Sequence, residues 1–588
     1  MRVCVIGAGA AGLATAKHLS EDGIAFDIFE KRDALGGLWY FDRAMSSVSD
    51  STVASSSKTF LQFSDFPIDP GVAEFPHHTV YLDYLYKYAR AHKLLEHIRY
   101  NTSVTDLRKT AAGWEVAFQQ EGSPQSRTYD AVAVCSGLHH IPLIPDFANR
   151  ERFQGTVVHS SLLKSMDELK GKRVVVVGGG ESGADMVQEL TPLAGKLYFS
   201  LRRGMALTRN FSPEKLPADF DSTRAKVWLP RQFLHDYNVD CRLPDRYSRF
   251  KTIYTLLGLP LLLVMWLFAP RKAGMLLKDL FSWKAWKALF KSPPRHGPAS
   301  GVELSRACDE FCQEIPQSEQ EIQQKAYQLK FLFDWYSGTL HNTQPFTKRM
   351  EFLRGIVDHS VKMMPGIRSF QGGNTVEFDN GTQVEIDTVV LCTGFRTYLP
   401  FYAANPKLDG RNLYKNVFLP GESSLAFIGF SRPNVGALPP VAELQARWFA
   451  GVTAGKLHLP DADSMRAMIQ ADAAHYNRTR ANYAERLNSL VDYHVYTNQL
   501  ASLIGCQPQL WRLLTRPKLL YLCLFGPYAS YQYRLHGYGA KFDKALAAAQ
   551  QIPAVPADRV LQHTVVYAMK PWFHLFSWLG FRKLKPVF

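Results

Sequence analysis

Val3-Cys4-Val5-Ile6-Gly7-Ala8-Gly9-Ala10-Ala11-Gly12, near the start of the chain, is a short apolar run followed by a glycine-rich turn. The run is typical of a buried parallel strand, and Leu13–Leu19 continues from the turn as a helix. A second strand, Phe26–Phe29, ends at Glu30, eighteen residues after Gly12. This order predicts a Rossmann-like dinucleotide-binding unit, because the turn lets a pyrophosphate approach a helix N-terminus. A carboxylate at Glu30 suits both ribose hydroxyls of an adenosine and repels a 2′-phosphate.

The same order returns in the middle of the chain, over residues 173–190. There the turn reads Gly178-Gly179-Gly180-Glu181-Ser182-Gly183, between an apolar strand and a helix. The next strand, Leu197–Leu201, ends at Arg202 and Arg203, where the first unit has its glutamate. Guanidinium groups at that place suit a ribose 2′-phosphate. We therefore expect FAD in the first unit and NADPH in the second, with a hydride passing between them.

Two similar segments indicate how the units are connected. Asp130–Gly137 and Asp387–Gly394 each consist of an aspartate, an apolar strand and a small-residue turn that ends in glycine. We interpret each as a connection from one unit to the other, so the second unit is predicted to be inserted into the first. The predicted fold class is α/β, with two three-layer Rossmann-like dinucleotide-binding units and a helical, membrane-associated insertion. The predicted division of the chain is the first part of the FAD unit at 1–150, the NADPH unit at 151–345 with the insertion at 204–300, the second part of the FAD unit at 346–550 and a C-terminal tail at 551–588.

Composition limits the remaining classes of function. The chain has 588 residues, 46% of them apolar and 21% charged, which is ordinary for a globular protein and excludes a disordered or fibrous chain. The net charge of +15 suits nucleic acid, an anionic membrane or an anionic cofactor. Two dinucleotide turns argue against a nucleic-acid partner. Eight scattered cysteines without a C-x-x-C pair argue against a redox dithiol, and we predict no metal site.

Two apolar segments predict contact with a membrane surface. Residues 201–300 hold 18 Lys and Arg against 7 Asp and Glu, and within them Ile253–Pro270 has no charge and basic flanks. This segment is at the lower limit for a span and contains Pro260, so it fits insertion into one leaflet better. The tail repeats the pattern in the aromatic stretch Pro571–Phe581. We expect a monotopic protein on the cytosolic face, of the endoplasmic reticulum in a eukaryote or the inner membrane in a bacterium. The alternative is a buried core helix and a tail packed on the protein.

From residue 1 to about 550 the chain resembles the flavin-containing monooxygenases, the class B single-component enzymes. The resemblance rests on ordered motifs: Gly36-Gly37-Leu38-Trp39, Ser57-Lys58, Phe63-Ser64-Asp65-Phe66-Pro67, Phe153–Lys164, Leu391-Cys392-Thr393-Gly394-Phe395, Glu443–Trp448 and Tyr531–Leu535. Within Phe153–Lys164, which is similar to the family fingerprint, we favour a buried structural role for His159 over a catalytic one. With the two turns, the resemblance assigns these candidate cofactor-binding residues: Gly7, Gly9, Ala10, Ala11, Gly12, Glu30, Gly37, Leu38, Trp39, Gly178, Gly180, Ser182, Gly183, Arg202, Arg203, Thr393 and Gly394.

The resemblance also implies a reaction. In the family NADPH reduces FAD, and O₂ adds at the flavin C4a to form a hydroperoxide. A soft nucleophile, an amine nitrogen or a sulfide sulfur, then takes the distal oxygen. The site must keep water away from the peroxide, and it needs no side-chain nucleophile. Baeyer–Villiger oxidation of a ketone and NADPH oxidation that releases H₂O₂ are the alternatives. The sequence leaves both a monomer and a homo-oligomer open.

A serine run departs from the family pattern. The family places an asparagine three residues before the lysine that aligns with Lys58, and this chain has Ser55 there, followed by Ser56 and Ser57. A serine hydroxyl can hydrogen-bond but lacks the two-ended reach of an asparagine amide. The register within the run is ambiguous by one residue. We take Ser55, Ser56 and Lys58 as candidate catalytic residues, and the substitution predicts wasteful release of peroxide.

Overall fold

The computed structural model describes residues 1–42, 48–139, 141–163, 165–211, 215–224, 300–336, 347–480 and 489–553, together with Leu267. Apart from Leu267, both predicted membrane segments, Ile253–Pro270 and Pro571–Phe581, lie outside these ranges. No helix in the described ranges is both long enough and apolar enough to cross a membrane. Contact with a membrane therefore stays a prediction.

The described residues form short parallel strands alternating with helices. The helices are α1 (Ala10–Glu21), α2 (Lys58–Leu61), α3 (His78–Ala91), α4 (Glu181–Leu190), α5 (Gly301–Phe311), α6 (Glu319–Tyr336), α7 (Phe352–Val357), α8 (Leu438–Thr453), α9 (Ala462–Arg480), α10 (Tyr493–Ile504), α11 (Pro517–Phe525) and α12 (Phe542–Gln550). The strands are β1 (Arg2–Ile6), β2 (Ala25–Phe29), β3 (Ile98–Arg99), β4 (Thr102–Thr110), β5 (Gly113–Gln120), β6 (Ser123–Tyr129), β7 (Ala131–Val134), β8 (Ile141–Pro142), β9 (Thr156–His159), β10 (Arg173–Val177), β11 (Lys196–Ser200), β12 (Val361–Met364), β13 (Ile367–Gly372), β14 (Thr375–Phe378), β15 (Gln383–Glu385), β16 (Thr388–Leu391), β17 (Phe395–Arg396), β18 (Phe418–Leu419), β19 (Glu422–Phe427), β20 (Arg432–Pro433) and β21 (Leu490–Val491).

The first unit is built on a six-stranded sheet of order β18-β19-β7-β1-β2-β3. Strand β1 pairs in parallel with both β2 and β7, so Val3 lies beside Phe26 on one side and Ala131 on the other. Helices cover one face, where Leu13 and Trp448 are buried in the core. The antiparallel sheet β4-β5-β6 covers the other face. A strand covered on both faces must be apolar throughout, which is why β1 shows no polar alternation.

The second unit repeats this architecture. Its five strands, in the order β12-β11-β10-β16-β9, are all parallel. Helices α4, α5, α6 and α7 contribute to the core on one face, and the antiparallel sheet β13-β14-β15 covers the other. In the chain these strands lie between β7 and β18 of the first sheet. The prediction of two three-layer units, with the second inserted into the first, is therefore confirmed.

The predicted return to the first unit at residue 346 is wrong. Strands β12 and β16 belong to the second sheet, where Val174 of β10 lies beside Thr388 of β16. The first sheet resumes only at Phe418. Residues 361–391 read as apolar strands in sequence, but an apolar strand pattern does not say which sheet the strand joins. The interpretation of Asp387–Gly394 as a connection that leaves the second unit is confirmed.

The predicted insertion at 204–300 is described only in part. Residues 215–224 cross from the second unit to the first, with one 3₁₀ turn at Ala218–Asp221. Phe220 is buried in the core of the first unit, and Thr223 forms a β-bridge with Pro527. We call residues 215–224 the strap. The predicted helical and membrane-associated character concerns residues outside the described ranges.

Four fully buried charged side chains join distant parts of the first unit. Arg534 Nη2 lies 2.9 Å from Glu443 Oε1, and Lys17 Nζ lies 2.7 Å from Asp65 Oδ2. Ser64 supports the first pair, because its hydroxyl donates to Glu443 and accepts from Arg534 Nε. The two pairs meet where Arg534 Nη2 lies 3.8 Å from Asp65 Oδ2. Burial alone would raise the pKa of Glu443, but its neighbours His18 and Arg534 lower it to about 2. The network ties α8 and the C-terminal residues to α1, which carries the first glycine-rich turn.

We expect Glu443→Gln to lower the free energy of unfolding by about 3–5 kcal/mol, because it removes the nearer carboxylate partner of the buried Arg534 guanidinium. The measurement is urea unfolding followed by circular dichroism. Arg108→Gln is the matched control, since the Arg108–Glu115 pair is exposed and should change stability little. Equal losses in the two variants would contradict a structural role for the buried network.

Candidate active site between the two units

Each glycine-rich turn packs a helix directly against backbone. A Cβ on Gly12 would lie 1.9 Å from the Gly7 carbonyl oxygen, and a Cβ on Gly183 would lie 1.9 Å from that of Gly178. The first glycine of each turn also lies against the backbone of a neighbouring strand. Gly7 faces the Cys135 carbonyl, and Gly178 faces the Cys392 carbonyl. The N-caps of α1 and α4, Gly9 and Gly180, have no side-chain cap. Both helix N-termini therefore keep backbone N–H groups for an anionic ligand.

The first turn has the groups that FAD needs. Glu30 is buried at the end of β2, where its Oε2 accepts the Ala8 N–H at 2.8 Å. The carboxylate thus faces the turn, where ribose hydroxyls would bind. Ser136, which follows β7 next to Gly7, has a buried hydroxyl with no hydrogen-bond partner among the described residues. An uncapped helix, a buried carboxylate and an unsatisfied hydroxyl at one turn fit a dinucleotide.

Other predicted FAD residues lie around the same turn. Gly37 packs on Gly9, with a Cβ on Gly9 only 3.5 Å from the Gly37 Cα. The Trp39 ring packs tilted against a tyrosine of α3, with 4.5 Å between the ring centres, while the Leu38 side chain is 40% exposed and open to a ligand. Ala10 and Ala11 form the first residues of α1, and Ala11 is buried in the core. Ala11 therefore serves the packing of the turn.

The second turn opens on a cavity of about 1300 Å³ between the units. Four of the residues predicted to bind the cofactor, Gly178, Arg202, Arg203 and Thr393, line it at the carboxyl ends of the second sheet. A Cβ on Gly180 would meet nothing within 4 Å, so there is space beside the α4 N-terminus. This space and its guanidinium groups fit a dinucleotide that carries a 2′-phosphate. Ser182 follows on α4, where its carbonyl accepts from the Cys392 thiol.

The first unit completes this cavity. Lys407 and Phe430, which belong to the chain after the second sheet, lie in its wall, and so does Arg396 on β17. Sequence reasoning missed these residues, because they lie far from the second turn in the chain. Thr393 and Gly394 sit at the crossing between the units, where the Leu143 N–H donates to the Gly394 carbonyl at 2.8 Å. A dinucleotide in this cavity would touch both units.

His159 lies at the same crossing. It is buried, its Nδ1 accepts the Ser161 N–H, and its Nε2 lies 3.0 Å from the Gly394 carbonyl oxygen. Burial lowers its pKa, so the imidazole is neutral and its Nε2–H donates to that carbonyl. This geometry agrees with a structural role for His159.

The serine run lies where the strap and α8 meet. Ser56 Oγ donates to the Gly436 carbonyl at 2.6 Å, and the Ser57 N–H donates to Asp219 Oδ2 at 2.7 Å. The Ser55 side chain is half-buried and makes no hydrogen bond with any described residue. Lys58 donates to the carbonyls of the loop at 70–72, so it supports that loop. Of the three candidate catalytic residues, Ser55 alone keeps its polar group available.

Sequence reasoning also missed Asp219, Lys348 and Gly436. Asp219 has a fully buried side chain and lies 3.6 Å from Lys348 Nζ, which joins the strap to the chain after α6. Neither residue belongs to a motif, so no local pattern could indicate them. Gly436 precedes α8, whose first turn contains Pro439 and Pro440. A glycine followed by prolines is typical of a helix start and could have marked this segment.

Helix α4 carries a second contact between the units. Burial raises the pKa of Asp185 to about 7, although Arg349 Nε lies 2.9 Å from its Oδ1. Arg349 also donates to the Val53 carbonyl of the first unit at 3.4 Å. The ranges that the structure describes hold no cluster of three or more His, Cys, Asp or Glu side chains suited to a metal ion.

The chain belongs to the flavin-binding monooxygenase-like family, whose model matches residues 1–240 and 302–577. It is 30% identical over 537 residues to a 4-hydroxybenzoate brominase (decarboxylating) of Pseudoalteromonas luteoviolacea, covering 91% of this chain and 90% of the relative. It is also 30% identical over 558 residues to human flavin-containing monooxygenase 3, covering 92% and 89%. The protein is thus a flavin-dependent monooxygenase, an oxidoreductase, and the predicted cofactors FAD and NADPH are confirmed.

Solved structures show the same fold. The S-allyl-L-cysteine S-oxygenase of Allium sativum is 18% identical, with a TM-score of 0.55 over 93% of this chain and 97% of that one. A cyclohexanone monooxygenase in its open form is 17% identical, with a TM-score of 0.52 over 86% of this chain and 97% of that one. At these identities the likeness concerns the architecture alone.

We expect Gly180→Ala to weaken NADP⁺ binding about tenfold or more while leaving the melting temperature unchanged. Its Cβ meets no atom of a described residue within 4 Å, so it should obstruct a ligand at the α4 N-terminus and not the fold. Gly183→Ala is the comparison, because its Cβ collides with the Gly178 carbonyl and should cost about 1–3 kcal/mol of stability. Calorimetric titration and thermal unfolding measure the two effects. Unchanged NADP⁺ affinity in Gly180→Ala would rule out a dinucleotide at this turn.

Replacing both Arg202 and Arg203 with alanine should raise KM for NADPH about tenfold or more and leave KM for NADH nearly unchanged. Each guanidinium lost from a 2′-phosphate removes a charge-assisted hydrogen bond worth about 1.5–3 kcal/mol. Steady-state kinetics with both nucleotides is the measurement. Arg306→Gln, an exposed change on α5, is the control for net charge. Equal KM values for NADPH and NADH in the unmodified enzyme would refute the assignment.

Proposed function

We propose that the protein is an NADPH- and O₂-dependent monooxygenase that transfers one oxygen atom to a soft nucleophile, an amine nitrogen or a sulfide sulfur. The observation that carries the proposal is the cavity between the units, where the second turn, Arg202 and Arg203 face residues of the first unit. Bound FAD, once reduced by NADPH, supplies the activation of O₂. The chain supplies binding, orientation and exclusion of water.

The lining of the cavity suits the exclusion of water. Leu138, Phe147, Phe395 and Phe430 present apolar surface beside the two guanidinium groups. Such a lining lowers the local water content, which protects a reactive oxygen species from hydrolysis and from proton leakage. A soft nucleophile carries its own reactive electron pair. It therefore needs no activating base from the protein.

A second candidate is oxidation of bromide followed by bromination of a phenol. It is favoured by similarity to two 4-hydroxybenzoate brominases, that of Pseudoalteromonas luteoviolacea and one of Marinomonas mediterranea that is 28% identical over 99% of both chains. Bromide is itself a soft nucleophile, so the same oxygen transfer would act on an ion in place of an amine or sulfide. Baeyer–Villiger oxidation and simple release of H₂O₂ are the further alternatives.

One experiment separates these functions. The purified protein, loaded with FAD, is given NADPH and O₂ together with a thioether, a tertiary amine, a ketone, or bromide with 4-hydroxybenzoate. We expect bleaching of the flavin spectrum by NADPH and formation of a sulfoxide or N-oxide. A brominated phenol as the main product would select the second candidate, and a lactone or ester the Baeyer–Villiger reaction. A flavin that NADPH does not bleach would overturn all of them.

Ser55→Asn should lower the H₂O₂ released per NADPH by about two- to tenfold. The asparagine amide can make a hydrogen bond at each end where the Ser55 hydroxyl makes none, and one net hydrogen bond is worth about 0.5–1.5 kcal/mol. The measurement is peroxide yield against NADPH consumption, with and without a thioether. Ser123→Asn, in the exposed strand β6, is the matched control. An unchanged peroxide yield would mean that Ser55 does not limit the coupling.

A further inference from the structure

An exposed apolar turn lies on the first unit, away from the cavity between the units. The chain passes through a 3₁₀ turn at Leu510–Leu513 and enters α11 at Pro517. In this passage Trp511 is 66% exposed and Leu514 is 70% exposed, among the largest exposures of any apolar side chain described. Arg512, Arg516 and Lys518 alternate with them and are also exposed. We call these five side chains the Trp511 patch.

The Trp511 patch is held in place by its neighbours. Leu513 and Leu519, from the same passage, are buried in the core of the first unit. The Arg516 N–H donates to the Leu513 carbonyl at 2.8 Å, which closes the turn. Large apolar side chains on an anchored turn lose little conformational freedom when they bind. The exposure of Trp511 and Leu514 is thus a fixed property of this surface.

The charged side chains of the Trp511 patch, Arg512, Arg516 and Lys518, have one sign. No Asp or Glu occurs in the fifty residues 493–542, whereas this stretch contains three Arg and two Lys. The Arg512 guanidinium lies 5.1 Å from the centre of the Trp511 ring, so a cation and an indole share one site. An indole and a leucine surrounded by arginine and lysine suit the boundary between lipid headgroups and acyl chains. The three exposed cations of the patch make an anionic surface the favourable one.

We propose that the Trp511 patch docks the protein onto the surface of an anionic lipid bilayer. Trp511 and Leu514 enter the headgroup region, and Arg512, Arg516 and Lys518 contact lipid phosphates. The C-terminal part of the chain starts from the same region. The Arg516 guanidinium lies 4.5 Å from the Phe542 ring of α12, and the chain continues past α12 into residues 554–588.

The test is co-sedimentation of the full-length, FAD-loaded protein with vesicles of phosphatidylcholine, with or without about 30% phosphatidylserine. We expect about tenfold or stronger partitioning onto the anionic vesicles, reduced by added salt. Trp511→Ala with Leu514→Ser should weaken partitioning onto both kinds of vesicle about tenfold. Arg512→Gln, Arg516→Gln and Lys518→Gln together should abolish the preference for phosphatidylserine. FAD content and melting temperature, measured in every variant, show that the fold is kept.

Two matched controls separate the patch from general surface properties. Ile315→Ser removes an equally exposed apolar side chain from the second unit, and Arg306→Gln removes an exposed charge there. Both should bind vesicles like the unmodified protein. The proposal is overturned if the patch variants bind vesicles as the unmodified protein does, or if the controls lose as much. It is also overturned if, without lipid, the unmodified protein is a dimer that the patch variants convert to a monomer, because the occupant is then a second copy.

Discussion

The fold and the candidate site both depend on two places where a helix packs against backbone with no room for a Cβ. At Gly12 and Gly183 the helix lies so close to the preceding turn that any side chain would strike a carbonyl oxygen. This contact aims the N-termini of α1 and α4 at the carboxyl ends of their sheets. The uncapped N–H groups, the buried Glu30 carboxylate and the cavity beside Arg202 then follow from sheet geometry.

The C-terminal third of the chain is fastened to the helix that carries the first glycine-rich turn. Helix α8 and the residues around Arg534 do not belong to either parallel sheet, yet buried ion pairs fasten them to α1 and to the loop at 63–66. Burying charges is costly unless each one is paired, and here the carboxylates and cations are arranged to pair. Just before α8, the Gly436 carbonyl accepts from Ser56, and the Ser57 N–H donates to Asp219 of the strap. The surroundings of Ser55 are therefore built by segments that lie hundreds of residues apart.

The distance in sequence between contacting residues explains which features could be predicted. The two strand-turn-helix units follow local rules, so the sequence predicts their elements correctly and places Glu30 and the Arg202–Arg203 pair after the second strand of each. The strand at 388–391 is equally clear as a strand, but its partner β10 lies more than two hundred residues away, and the predicted boundary failed there. Asp219, Lys348 and Lys407 reach the site only through tertiary packing. Lys58 matched a motif but supports a loop, because a motif fixes position and not the direction of a side chain.

The crossing between the units is a two-stranded ribbon. Strand β8, on the way into the second unit, pairs antiparallel with β17, on the way out, so the two ends of the inserted unit emerge side by side. A module with adjacent ends can be added to a surface loop of a host without altering the host's strand order. In the first sheet β7 pairs directly with β19, although the second unit lies between these strands in the chain. Each sheet therefore keeps continuous strand pairing, although the chain of one unit interrupts the chain of the other.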